Sequence, residues 1–240
     1  MRWDVVTVTD RLKLLTLDHN RPPSITDKVY EALYVRIMKL DLLPGSKLSE
    51  VDVANQLGVS RQPVRDAFYR LSQVRLLMIR PQRATVVTPI SVEAVLEAMF
   101  VRTALELETV RAALPNLNAL RLGELGELVT RQQVAVRSGD REGFHMLDDE
   151  FHLKICEIAD HGHVWTLIQN HKAHMDRIRY LSLETGAQKA LNDHAMILEA
   201  LKQGDEVGAL SHMRAHLSRI ETIIGSIRAE HSEYFDMAMI

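Results

Sequence analysis

Ten of the eleven histidines lie between residues 145 and 231, and three of them, with one aspartate, could share a single task. Asp148 and His152 are four apart, so on a helix both project from one face, beside the apolar stripe Phe144, Leu147, Phe151, Ile155 and Ile158. His194 shares a face with Ile197, Leu198 and Leu201, and His216 with Met213, Leu217 and Ile220. Imidazoles on apolar faces point inward. One carboxylate and three imidazoles meeting inside a helical bundle suit a borderline divalent cation such as zinc, nickel or manganese. The competing reading is three ordinary core histidines.

A second group of side chains is cationic. Between Ser49 and Leu71 the pattern is two short amphipathic helices joined by a tight turn. In the second, Val64, Ala67, Phe68 and Leu71 face inward, while Arg61, Gln62, Arg65 and Tyr69 face out. A guanidinium matches the acceptor edge of guanine with two parallel donors, so a helix presenting two arginines fits a DNA major groove. Ser60, at the cap position, adds a hydroxyl at the same end. The plainer alternative is a helical hairpin with no nucleic-acid role.

These side chains need elements to position them. Ser49 with Asp52 predicts the start of the first short helix, Gly58 its end, and Ser60 with Pro63 in the next first turn the start of the second. An earlier helix is expected over 25–40, closed by Leu43-Pro44-Gly45. The runs 76–79 and 84–87 predict two strands of a hairpin, with Arg83 at or near its tip. Three helices and this hairpin make a winged helix-turn-helix over 21–88, preceded by a loose arm over 1–20. From Ser91 the pattern is helical throughout. Helices are expected at about 91–114, 117–138, 140–160, 163–184, 187–203 and 205–230, broken at Pro115, Gly139, Gly162, Gly186 and Gly204. The fold class is therefore mainly α: a winged helix-turn-helix, then an antiparallel bundle of six to seven helices over 89–230, with a tail over 231–240.

Charge follows the same division. Residues 21–88 carry 11 Lys and Arg against 6 Asp and Glu, whereas 89–240 carry 15 against 23. Only the first part is built to meet a polyanion. The single cysteine, Cys156, excludes an internal disulfide, and neither a signal peptide nor an apolar run of membrane-spanning length is present, so a cytoplasmic location is expected. Nucleophile elbow, phosphate loop and CxxC motifs are absent.

The motifs Tyr30-Glu31-Ala32-Leu33, Leu43-Pro44-Gly45 through Ser49-Glu50, and above all GVSRQPVRDA from Gly58 to Ala67 resemble the GntR family of bacterial transcription regulators. Two positions depart from the usual pattern: Val74-Arg75 stands where the family has an acidic residue and glycine, and Arg83-Ala84 where it often has Arg-Gly. Arg75 is an added candidate for a phosphate contact. Residues 91–220 resemble the FCD domain of FadR-type members through Val101-Arg102, Leu105-Glu106, the run Asp148 to His152, Asp176 to Arg179, His194 and Met213 with His216. The resemblance implies a metal held by Asp148, His152, His194 and His216, and argues against the acyl-binding branch, which lacks this set. It also implies an effector pocket. Arg102 is a candidate to hold a ligand carboxylate there, against an intrahelical pair with Glu106, and Arg179 is a second candidate, against a solvated helix face.

The expectation is a homodimeric regulator, more often a repressor, that binds a double-stranded operator and is controlled by a small carboxylate beside the metal. Two alternatives stay open. An Asp/His₃ centre with a free position could activate water in a hydrolase-like enzyme, or the protein could sense the metal itself.

Overall fold

The computed structural model describes residues 22–80 and 84–236; the expected N-terminal arm, Arg83 and the methionine-rich end lie outside the described residues. Helix α1 (Ile25–Met38) starts on a reciprocal cap, Ser24 Oγ accepting from Asp27 N–H and the Asp27 carboxylate accepting from Ser24 N–H. Helix α2 (Glu50–Leu57) is capped by Ser49, whose hydroxyl accepts from Asp52 N–H at 3.3 Å. It ends on Gly58, whose φ of 63° is the left-handed conformation that lets the chain turn at once into α3 (Arg61–Gln73). Val64, Ala67, Phe68 and Leu71 of α3 are buried against Val29, Leu33 and Ile37 of α1, as the spacing predicts.

The wing holds one strand more than expected. β1 (Lys47–Leu48), β2 (Leu77–Met78) and β3 (Thr85–Val87) form an antiparallel sheet in the order β1-β3-β2, with Leu48 opposite Thr85 and Leu77 opposite Val87. β1 is two residues long, too short to show alternation.

Among the described residues the second part folds into six long helices: α4 (Val92–Ala113), α5 (Ala119–Ser138), α6 (Arg141–Ile158), α7 (Gly162–His171), α8 (Ala173–Gln203) and α9 (Glu206–Glu230). One boundary differs from the expected one. The break lies at Lys172 rather than Gly186, and α8 runs straight through Gly186 for 31 residues. A glycine inside a helix costs only ~1 kcal/mol, which tertiary packing outweighs. Lys172 turns its ammonium inward between Asp149 and Asp176, 2.6 Å from each, and this buried pairing fixes the corner.

The two parts are joined tightly. Ala173, at the start of α8, belongs to the core of the winged unit. His174 Nε2–H donates to the Arg75 carbonyl, while its Nδ1 accepts from Ser91 N–H and from Arg177. Arg177 is fully buried and also donates to the Thr88 and Pro89 carbonyls. The segment after α9 docks back: Phe235 is buried, bridged to Ile90.

Candidate metal centre and nucleic-acid interface

Three helices bring the histidine cluster together. Asp148 and His152 come from α6, His194 from α8 and His216 from α9, and one donor atom from each lies within 4.8 Å of the others. His152 Nε2 is 3.2 Å from His216 Nε2, which is 3.3 Å from His194 Nε2. Asp148 offers Oδ2 at 3.8 Å from His152 and Oδ1 at 3.6 Å from His194.

The outer nitrogen of each ring decides what the inner one presents. Gln132, on α5, donates its amide N–H to the Leu147 carbonyl at 2.9 Å, so its oxygen accepts from His194 Nδ1–H at 2.8 Å. His216 Nδ1 faces the Asp193 carboxylate at 3.2 Å. His152 Nδ1 lies 2.5 Å from Glu106 Oε2, without the alignment of a regular hydrogen bond. Carboxylates and an amide oxygen only accept, so in the neutral rings all three protons sit at Nδ1. Three Nε2 lone pairs then face one another and Asp148. That arrangement is repulsive in itself and would be relieved by a shared cation, with Glu106, Gln132 and Asp193 placed behind the rings.

Electrostatics agree. Burial holds the His194 pKa well below its ordinary value, and burial likewise lowers His216 against the opposing pull of Asp193. Burial would raise Asp148, but the Arg179 guanidinium beside it holds it well below the usual carboxylate range. Neutral imidazoles and an ionised carboxylate are the ligand states a cation needs.

A cavity of about 460 Å³ opens beside the cluster, lined by Arg102, Asp148, Arg179, His216 and Arg219 among others. Arg102 makes the buried pair with Glu106 at 2.6 Å, yet its Nη2 is buried without a partner, so both readings of this residue have a place. Arg219 pairs with Asp193 through Nη2 and leaves Nη1 equally unpartnered. Arg179 is not on a solvated face; it pairs with Asp148, Asp149 and Asp176. Arg177 lies away from this cavity, on the linker. Arg219, Gln132 and Asp193 were missed in the sequence, although Arg219 is one helical turn beyond His216 and Asp193 directly precedes His194.

At the other end of the molecule, Ser60, Arg61, Gln62 and Arg65 are exposed on the first turns of α3. Ser60 makes no capping bond. Glu50, on α2, holds Arg61 at 3.2 Å and Arg65 at 3.1 Å, and Gln62 bonds Asp66.

Comparison with known proteins bears on both sites. Residues 25–87 match the model for bacterial regulatory proteins of the gntR family, and residues 97–219 match the FCD domain. The HTH-type transcriptional repressor RspR of Escherichia coli is 34% identical over 218 residues, covering 90% of this chain and 96% of that protein. The chain belongs to the GntR family. Solved GntR-type structures share its fold: E. coli McbR/YncC superposes with a TM-score of 0.74 at 27% identity, covering 85% of this chain and 99% of that one. A GntR-type regulator from a Rhodococcus species gives 0.69 at 22% identity over the same shares, which speaks to the fold alone. The chain is thus a transcription regulator, with a helix-turn-helix DNA-binding domain and an FCD domain, and not an enzyme. No described helix is long and apolar enough to cross a membrane.

The departure from the GntR pattern at Arg75 has a physical reading. Its φ is 59°, the left-handed region in which the family's usual glycine is unstrained. Its guanidinium lies 3.3 Å from Glu97 on α4, and its carbonyl accepts from Thr88 and His174. In this GntR chain Arg75 therefore sits at the domain junction, turned toward the FCD domain.

Proposed function

We propose that this GntR regulator holds one divalent cation at Asp148, His152, His194 and His216 and binds a small carboxylate in the adjoining cavity, as a homodimer that represses from a double-stranded operator. The observation that carries the reading is the convergence of three Nε2 lone pairs on Asp148, each ring oriented from behind by an acceptor. When bound, the cation would supply a Lewis-acid anchor for a ligand oxygen; zinc, nickel and manganese all suit this donor set. Arg102 and Arg219 each bring a buried, unpartnered N–H group to the cavity lining, which supports an anionic ligand, and Arg179 adds a third guanidinium. Ser60, Arg61, Gln62 and Arg65 would meet base edges and phosphates, with Arg83 at the wing and Arg75 as a further phosphate contact once it leaves Glu97.

Repression is the output named for RspR. A dimer is supported by Phe100, 74% exposed on α4 one turn from the exposed Leu96. Elemental analysis of tag-free protein purified without chelator tests the metal reading. One cation per chain, lost in His194→Ala with helicity retained, is expected. No stoichiometric metal, and none after reloading, would refute it.

A further inference from the structure

Asp148 and Asp149 are adjacent on α6 but face different places. Asp148 closes the histidine cluster, while Asp149 lines an interdomain cavity of about 420 Å³ with Tyr34, His145, Lys172 and Asp176. One side chain spans the two. Arg179 pairs with Asp148 through Nη2, and its Nη1 is 3.2 Å from Asp149 and 3.0 Å from Asp176. Asp176 Oδ2 in turn accepts from Lys172 at 2.6 Å and from the Tyr34 hydroxyl at 3.2 Å. Tyr34 belongs to α1, the helix that packs directly on α3. Three contacts therefore join the candidate metal ligand to the DNA-binding domain.

Charge decides what this chain of contacts does. Three carboxylates, Asp148, Asp149 and Asp176, share two cations, Arg179 and Lys172, so Arg179 is divided among all three. His145, Asp149 and Asp176 also have the spacing of a cation site, but Lys172 lies 2.6 Å from both carboxylates and Arg179 covers their other oxygens. This second cluster is already neutralised. A divalent cation at Asp148 would balance the remaining carboxylate and repel the guanidinium beside it.

We infer that Arg179 is a shared counter-ion that couples occupancy of the histidine cluster to the hold of α8 on the DNA-binding domain. With Asp148 engaged by a cation, Arg179 turns wholly to Asp149 and Asp176, competes with Tyr34 for Asp176, and loosens α1 from α8. Without the cation, Arg179 is drawn back to Asp148 and Tyr34 keeps its acceptor. The inference rests on the metal reading above and adds to it a route and a direction.

Zinc titration of chelator-stripped, full-length protein by calorimetry, with amide hydrogen exchange followed along α1, tests it. In the wild type, zinc binding should speed exchange over residues 34–38. Arg179→Gln removes the cation that competes for Asp148, so zinc should bind about tenfold tighter while α1 ceases to respond. Tyr34→Phe touches no proposed metal ligand; it should bind zinc as the wild type does and show fast α1 exchange with or without it, a readout that holds even if Arg179→Gln does not fold. Weaker or unchanged zinc binding by a folded Arg179→Gln, or a full α1 response in Tyr34→Phe, would overturn the proposal. A wild type that binds zinc with no change in α1 would overturn the coupling alone, whereas one that binds no zinc would remove the metal reading as well.

Discussion

Gln132 is the most selective probe of the histidine cluster, because it touches a candidate ligand without being one. Gln132→Leu keeps much of the side-chain volume but removes the acceptor that holds His194 Nδ1–H. Metal affinity should fall about 10–100-fold with helicity unchanged, measured by competition against a chelator dye; wild-type affinity would mean that the His194 tautomer needs no support. His174 makes a separate prediction. Burial, reinforced by the charge of Arg177, lowers its pKa to about 3. The unfolded chain takes up a proton near 6.5 and the folded one only near 3, so the stability from neutral His174 is fully present above pH 6.5 and is lost as pH falls toward 3. The loss over that whole range is on the order of 5 kcal/mol. Denaturant titrations from pH 7 to 4 should show a steeper decline in the wild type than in His174→Asn, which cannot charge; parallel declines would contradict the assignment. That Asp148, His152, His194 and His216 come together was legible in the sequence because each lies on an apolar helix face with a recognisable stripe. Their orienting partners were not, since Gln132 and His194 are 62 residues apart and meet only through the packing of α5 on α8.

Among the elements, α2, α3 and α6 could be read closely, α2 from its Ser49 cap and Gly58 end, α3 and α6 from their apolar periodicity. Where two signals competed, the reading slipped: Gly186 outweighed the buried Lys172 corner, so the α7–α8 boundary was displaced, and two-residue β1 offered no pattern at all. The turn-linked pair α2 and α3 carries a contact that spacing could not reveal, the Glu50 carboxylate shared by Arg61 and Arg65. This pair lies on the surface proposed for DNA, so phosphates and bases must draw the guanidiniums away from it. On a duplex selected from a randomised pool, Arg61→Ala and Arg65→Ala should each weaken binding about tenfold or more at matched salt. Glu50→Gln should tighten binding and steepen its salt dependence, because a competing anion has gone. Operator affinities that do not change in both arginine variants would show that α3 does not read the groove.

At the scale of the whole molecule, the basic winged domain and the acidic FCD domain are held as neighbours by α8. One end of this helix supplies Ala173 to the winged core and His174 and Arg177 to the linker, and its far half supplies His194 to the histidine cluster. A ligand that shifts α8 thus has a direct path to the orientation of α3, and in a dimer to the spacing of two recognition helices. The division into two parts was visible in charge and periodicity; the junction was not, because it is made of backbone carbonyls and buried arginine rather than any motif. The central claim is that the FCD domain governs DNA binding through a metal-dependent carboxylate site. Its most direct test is the affinity of metal-loaded and chelator-stripped protein for the selected duplex across a panel of small carboxylic acids. The account predicts at least one acid that weakens binding to DNA with the metal present and not with the metal removed; an acid equally effective on stripped protein, or a panel without effect on either form, would contradict it.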